Sequence, residues 1–307
     1  MQPPAGHARR VSNRSKPHEI SARKCLGIRF LTTVPFQSLP GDALQPQHER
    51  AAQRRIAVFG VASEHSIAWQ IAQTLMRRDF SVHIAYQQRF RSRVIPLLKA
   101  NEGALANAHR CDLKADEDIE EFVRAVGSPL HGIVHSVAFA PPETFGKDIC
   151  SVDLPEFAET LHVSCFSLVK MVKLLRPHLL PGASIVAMTY IGGQRIVPGY
   201  GLMGIAKAAL EATVRQLAVD LGPDDVRVNA LSSGPIRTLS SLAVPGFERI
   251  LARYASIVPL RRCVAGQDVA ETAHFLLSPA SRAITGQTIF VDAGFSAMAL
   301  PIDDTSE

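Results

Sequence analysis

From Arg54 onward, short apolar runs alternate with amphipathic stretches, and the apolar period switches between about two and about 3.6 residues. Ile56-Ala-Val-Phe59 reads as a buried strand ending at Gly60, and Ile67, Ala68, Ile71, Ala72 and Leu75 then recur at helical spacing. Further strands are expected over residues 81–86, 108–112 and 131–137, with Ile119, Phe122, Val123 and Val126 marking a helix before the last of these. A long helix is expected over 154–175, a strand over 183–189, a helix over 200–221, and strands over 226–231 and 287–292. Strands separated by helices, joined by right-handed crossovers, imply an α/β fold with one Rossmann-like, doubly wound parallel sheet of about seven strands. Residues 1–53 read as an N-terminal extension, 54–298 as one domain without internal repeats, and 299–307 as a tail.

The net charge matters mainly for where it lies. Of the formal +5, all lies in the first 53 residues, where eight basic residues face three acidic ones; the remainder carries 25 of each sign. The folded part is therefore not a basic nucleic-acid binder. The leading segment, rich in Pro, Arg and Gln and poor in acids, reads as unstructured, with an organelle-targeting origin left open. Five scattered cysteines, never spaced C-x-x-C, argue against a disulfide framework or zinc site and fit a reducing compartment. No run of about 18 apolar residues predicts membrane insertion. The expected setting is the cytoplasm, or an organelle stroma or matrix if the extension is a transit peptide.

A parallel sheet of this kind binds ligands at the carboxyl ends of its strands. After the first strand, Gly60-Val-Ala-Ser-Glu-His-Ser66-Ile67 leads small residues into a helix start, which suits a pyrophosphate but equally a plain N-cap at Ser66. After the second comes Gln87, a neutral partner for a ribose diol, followed by Arg89 and Arg91, which suit a 2'-phosphate. Cys111-Asp112 follows the third; its carboxylate and backbone amide can hold an adenine amino group, or Asp112 simply forms a turn. His135 reads more naturally as a core histidine than as an acid or base, and Ser136-Val-Ala138-Phe139 after it offers small residues to a flat ring. Ser233-Gly-Pro-Ile236-Arg-Thr238 supplies an amide and a hydroxyl, or an ordinary turn.

The segment from Tyr190 to Lys207 sets two phenols, Tyr190 and Tyr200, ahead of one lysine. Seven steps at about 3.6 residues per turn bring Lys207 back under Tyr200. An ammonium there favours the ionised phenol and makes it a better acid, and it can also bind a sugar diol. Packed tyrosines and a solvated lysine would read the same way in isolation.

Taken together these residues resemble the short-chain dehydrogenase/reductase superfamily, and within it the NADH-dependent enoyl-[acyl-carrier-protein] reductases. The likeness runs from about Arg54 to Ala297. It rests on Gly60-x5-Ser66-Ile-Ala, Tyr86-Gln87, Cys111-Asp112, His135-Ser136 with Phe139-Ala-Pro, Tyr190-x9-Tyr200-x6-Lys207, Gly234-Pro-Ile-Arg-Thr238-Leu, Pro259-Leu-Arg-Arg and Ile284-Thr-Gly-Gln. Most of the superfamily places Tyr four residues before Lys and Ser about thirteen before that Tyr; here those positions hold Met203 and Tyr190, the pattern of enoyl rather than keto reductases.

The resemblance implies that Tyr200 supports the enolate oxygen formed when hydride reaches the β-carbon of a trans-2-enoyl thioester on acyl carrier protein. It implies that Lys207 holds the nicotinamide ribose and that Tyr190, with Ala138 and Phe139, lines the acyl pocket. Gly60, Ser66, Ile67, Gln87, Cys111, Asp112, Ser136, Ile236 and Thr238 would bind the cofactor, with NADH favoured over NADPH at Gln87, and the assembly would be a homotetramer. Residues 239–254, apolar and partly helical, read as a lid or an ordinary surface helix, with Arg249 and Arg253 placed to meet an acidic carrier protein. Rival readings are a keto- or alcohol-reducing dehydrogenase and a non-catalytic NAD-binding sensor.

Overall fold

Alternate side chains of the first strand, β1 (Arg55–Phe59), enter opposite cores, as the period of two along a strand requires. Ile56 and Val58 join a cluster with Trp69, Ile71 and Leu75, while Ala57 and Phe59 join another with Phe122, Leu168 and Leu210. Phe122 is wholly buried, and each such side chain contributes roughly 1.5–3 kcal/mol of hydrophobic stabilisation. Phe59 and Phe122 meet with ring centroids 4.7 Å apart.

The structure, a computed structural model, describes residues 53–101, 103–127 and 129–299. The expected 1–53 extension, save Gln53, and the 299–307 tail, save Ala299, lie outside the described residues. β1 is joined by β2 (Ser81–Tyr86), β3 (Ala108–Arg110), β4 (Leu130–His135), β5 (Leu179–Tyr190), β6 (Arg227–Ser233) and β7 (Thr288–Val291) in one sheet. Their order is β3-β2-β1-β4-β5-β6-β7 and every pairing is parallel. One face carries α1 (Ile67–Met76), α2 (Arg91–Lys99) and α8 (Gly266–Leu277); the other carries α3 (Asp116–Val126), α5 (Ser167–Leu175) and α6 (Gly201–Leu221). Strand order reverses between β1 and β4, and such a switch point opens a ligand crevice at the strands' carboxyl ends.

Several boundaries differ from those expected. β3 stops at Arg110 and β4 at His135, so Cys111, Asp112 and Ser136 are loop residues at the sheet's edge. β5 begins at Leu179, earlier than the apolar run, with a register shift against β4 between Leu130 and Gly132. The long helix is three pieces: α4 (Leu154–Leu161), a π turn over His162–Phe166, and α5. Two helices stand where no helix was expected. α2 buries just Val94 and Leu98 around an internal Pro96, too little apolar period to read; α8 buries Val269, Ala270, Ala273, Leu276 and Leu277, a spacing that does carry the helical signal. Among the described residues no helix is long and apolar enough to cross a membrane.

Candidate active site

At the switch point the chain leaves β1 through Gly60, whose φ of +104° is open to glycine and strained for other residues. A Cβ there would stand 2.1 Å from the Ser136 carbonyl oxygen, so glycine lets the loops after β1 and β4 close on each other. The following loop is tied by Ser66, whose hydroxyl donates to Ser63 O at 2.7 Å while accepting from Ala62 N at 3.4 Å. Ser66 does occupy the N-cap position of α1, as its alternative reading had it, but its side chain caps no amide there. Trp69 N already donates to Ser66 O at 3.0 Å, which leaves the amides of Ile67 and Ala68 for an outside acceptor, the arrangement that receives phosphate.

Behind the opposite wall, β5 ends at Tyr190 and a 3-10 turn over Ile191–Gly193 presses on α6. This approach needs small residues: a Cβ on Gly192 would lie 2.5 Å from the Tyr200 ring, and one on Gly204 would lie 2.8 Å from Gly192 O. The Tyr190 and Tyr200 rings meet edge to face with centroids 5.1 Å apart. Lys207, 5 % exposed, donates to Met188 O at 2.8 Å, which leaves it two further N–H donors.

These groups line one cavity of about 340 Å³ together with Gly60, Ser66, Ile67, Ser136, Ala138, Phe139, Ile236 and Thr238. Gln87, Cys111 and Asp112 do not line it; they border two smaller hollows along the same edge that share Arg89 with the main cavity, and one of these also shares Gly60 and Ser136. Gln87 donates to Asp112 Oδ1 at 3.3 Å, and the same oxygen accepts from Lys114 N at 3.0 Å, so Asp112 does form the turn read as its alternative role. Its own amide donates to Asp118 Oδ2 at 2.9 Å, which leaves the carboxylate, and not the amide, for a purine amino group. Burial, with Asp118 and Asp112 nearby, pushes the Cys111 thiol up to about 12, so it stays neutral. Arg89 lies against both Phe90 and Phe139, its guanidinium carbon 4.7 and 5.5 Å from the two ring centroids.

Electrostatics correct one expectation. Lys207 does not ease the ionisation of Tyr200: burial, with Tyr190 adding to it, drives that phenol well above its ordinary range, and burial raises Tyr190 too. Tyr200 is accordingly a neutral hydrogen-bond donor at physiological pH. Burial lowers Lys207 to about 8, opposed by Glu211 and Cys165. His135 is the core histidine expected: fully buried, with Nε2 2.8 Å from a Ser167 hydroxyl that itself donates to Val163 O. That hydroxyl must then accept, so Nε2 carries the proton. Burial and the Lys207 charge hold the imidazole down to about 3, too low for a proton shuttle.

Thr238 is committed locally: its amide donates to Ser241 Oγ at 2.8 Å and its hydroxyl accepts from Ser241 N at 3.1 Å. The outer wall of the cavity is the 239–254 segment, built from a 3-10 turn (Ser241–Ala243) and α7 (Phe247–Ile257), with Leu239, Val244, Phe247 and Ile250 facing inward. Two contributors had gone unnoticed in the sequence. Ser164, in the π turn, accepts from Phe139 N at 3.0 Å and donates to Phe139 O at 2.9 Å, fixing the loop that walls the site; Glu211 lies fully inside beside Lys207. Neither stands in a motif: Ser164 acts through a contact 25 residues away, and Glu211, though four residues past Lys207, is buried by Thr189 and Gln194 from outside its helix.

The donor set fits a dinucleotide: an uncapped helix start, a backbone crossing closed to any Cβ, and a buried ammonium with spare donors. A family model described as Enoyl-(Acyl carrier protein) reductase matches residues 60–296. The chain is 38 % identical over 253 residues to the enoyl-[acyl-carrier-protein] reductase [NADH] of Bacillus subtilis, covering 80 % of this chain and 97 % of the relative. It is likewise 38 % identical over 246 residues to the NADPH enzyme of Staphylococcus aureus, covering 78 % of this chain and 96 % of the relative. The crystal structure of the Bacillus cereus enoyl-acyl carrier protein reductase with NADP+ and an indole naphthyridinone superposes with TM-score 0.77 at 36 % identity, covering 80 % of this chain and 98 % of that one.

Proposed function

The chain belongs to the enoyl-(acyl carrier protein) reductase family, and from that premise we propose how its own residues carry the reaction. It is an NADH-dependent enoyl-[acyl-carrier-protein] reductase of fatty acid biosynthesis, an oxidoreductase acting on a carbon–carbon double bond of a carrier-bound thioester. NADH, when bound, supplies the hydride for the β-carbon. Everything else is positioning and charge stabilisation, which is the protein's share.

The observation that carries the reading is a neutral, partly buried Tyr200 phenol packed on Tyr190 in the same cavity as Lys207. A neutral phenol is a hydrogen-bond donor aimed where the thioester oxygen gains charge, and it needs no reorganisation to act. Burial keeps the Tyr200 phenol protonated as a hydrogen-bond donor to the oxygen that gains charge, and the α-carbon would take its proton from solvent or from Tyr200. Lys207 would bind the ribose diol with the donors Met188 leaves unused, and the α1 start would take the pyrophosphate. Gln87 would meet the adenosine ribose, and Asp112 the purine amino group. Tyr190, Ala138 and Phe139 would line the acyl pocket, closed outside by Leu239, Val244 and Phe247.

The keto-reductase alternative lacks its proton donor. Four residues before Lys207 stands Met203, 5 % exposed and without a hydroxyl. The deciding experiment follows NADH oxidation with crotonyl and acetoacetyl thioesters, on the full chain and on one beginning at Arg54. Oxidation with crotonyl alone, by both chains, is expected. Oxidation with acetoacetyl alone would overturn the reading, and binding of NADH without oxidation would favour the sensor.

Three finer proposals accompany it. Exposed Leu154, Phe166 and Ile205 lie on α4, the π turn and α6, which fits a homotetramer and is checked by light scattering. Arg249 and Arg253, exposed on α7, would meet the carrier protein; reversing both charges should raise KM for carrier-linked substrate while sparing the CoA thioester. The setting would be cytoplasmic or inside an organelle, which cell fractionation tests.

A further inference from the structure

One buried acid remains outside the reaction as derived. Glu211 is 3 % exposed, and its two oxygens accept from two residues that flank Tyr190: Thr189 Oγ1 at 2.8 Å and Gln194 Nε2 at 2.7 Å. Glu211 also stands one helical turn beyond Lys207, where side chains four apart are neighbours. Gly193 fills the space between: a Cβ on it would lie 2.9 Å from Glu211 Oε1 and 3.0 Å from the Lys207 carbonyl carbon.

We propose that Glu211 is a positioning residue for the reduction, its carboxylate pinning the strand end that bears Tyr190 to the helix that bears Tyr200 and Lys207. This rests on the reading of the site given above. The helix α6 carries the ammonium and has the phenol of Tyr200 at its N-cap, whereas Tyr190 arrives on β5, so their relative placement depends on whatever joins strand end to helix. Lys207 joins at Met188 and Glu211 joins at Thr189 and Gln194, so Tyr190 lies between two ties. A negative charge beside Lys207 has a second consequence. The groups facing that ammonium are Glu211 on its own helix, Cys165 in the π turn, and His135 at the end of β4. His135 is neutral and Glu211 is the largest influence opposing the desolvation of the ammonium. Loss of that charge should therefore lower the Lys207 midpoint from about 8.

The test uses full-length enzyme with carbon-13 in its lysine side chains, the Lys207 signal being the one lost in Lys207→Met. In Glu211→Gln, which keeps the shape and can still bond both partners, the Lys207 midpoint should fall by about one to two pH units. Thr189→Val keeps the charge and removes one tie: kcat with crotonyl thioester should fall about tenfold at an unchanged NADH Kd by fluorescence, while Thr189→Ser restores it. A Thr189→Val kcat equal to the parent's overturns the proposal, and an unmoved Lys207 midpoint in folded Glu211→Gln overturns its electrostatic consequence. Should Glu211→Gln not fold, Thr189→Val and Gln194→Ala decide it by the same kcat criterion. The lysine titration needs no substrate, so it stays readable if crotonyl thioester is not turned over by the parent enzyme, a result that would sink the functional reading instead.

Discussion

The two walls of the cavity are built on different principles. The inner wall, from β5 and α6, is packed through Gly192, Gly193 and Gly204 with no room for another methyl group, and its polar groups are tied at Met188, Thr189 and Gln194. The outer wall, residues 239–257, leaves Leu239 and Leu242 37 % and 53 % exposed and is held mainly at Phe247 and Tyr254. An oxyanion donor misplaced by an ångström loses its effect, so the proposed reading sets the chemistry on regular elements. On the proposed reading this wall covers an acyl chain, which needs apolar contact and tolerates variation in it, as a turn and one short helix allow.

Tyr200→Phe should have the largest effect. If the inner wall supplies the charge stabilisation, removing its phenolic donor should cost about 10²–10³ in kcat while NADH Kd changes less than about twofold. Steady-state kinetics beside a fluorescence titration would check it. An unchanged kcat would mean that the stabilising donor lies elsewhere.

Gly192→Ala probes the rigidity itself. The added Cβ must displace the Tyr200 ring, which an alanine would otherwise meet at 2.5 Å, and a shift of about 1 Å at a catalytic group costs about 100-fold. The expected outcome is that loss in kcat with the fold intact by circular dichroism. Full activity would show that the inner wall yields as readily as the outer.

How much of this was legible without coordinates follows the same division. Seven strands and the common edge holding Gly60, Ser136, Tyr200 and Lys207 follow from apolar period and from the rule that parallel sheets bind at their carboxyl ends, because both are local or topological. The π turn was not legible: it holds Ser164, which clasps Phe139 in a contact between residues 25 apart in sequence. Likewise, the charge beside Tyr200 was read from helical spacing alone, which places Lys207 on the right face but says nothing of the burial that dominates both groups. Glu211 sits four residues past Lys207 on a predicted helix and looks like any surface acid until Thr189 and Gln194 close on it.

Acid should destabilise the fold through two histidines of the sheet. Burial, with Arg55 adding to it, holds His83 down to about 4, and His135 is held to about 3, each below the unfolded value of about 6.5. As pH falls below about 6.5 the unfolded chain takes up protons that the folded chain refuses, so stability declines until the folded values are reached. At pH about 5 the loss is about 1–2 kcal/mol for each histidine. Denaturant melts between pH about 8 and 5 would register it, and His83→Gln should flatten part of the slope. A pH-independent midpoint would show that neither imidazole is held neutral.

The mildest change expected is at the outer wall's fixed end. Tyr254, 4 % exposed, donates to Asp292 O at 2.6 Å and packs on Phe295 with ring centroids 5.5 Å apart, tying α7 to the end of β7. Asp292 O also accepts from Phe295 N at 3.0 Å, so Tyr254→Phe leaves no orphaned carbonyl and should cost about 1 kcal/mol. A looser α7 weakens the apolar cover, which matters more for long acyl chains than short ones. KM for a long-chain enoyl thioester should rise several-fold, while kcat with the crotonyl substrate stays within about twofold, because the donors on β5 and α6 are untouched. If kcat instead falls as it does for Tyr200→Phe, α7 takes part in fixing the reacting groups, and the two walls are one.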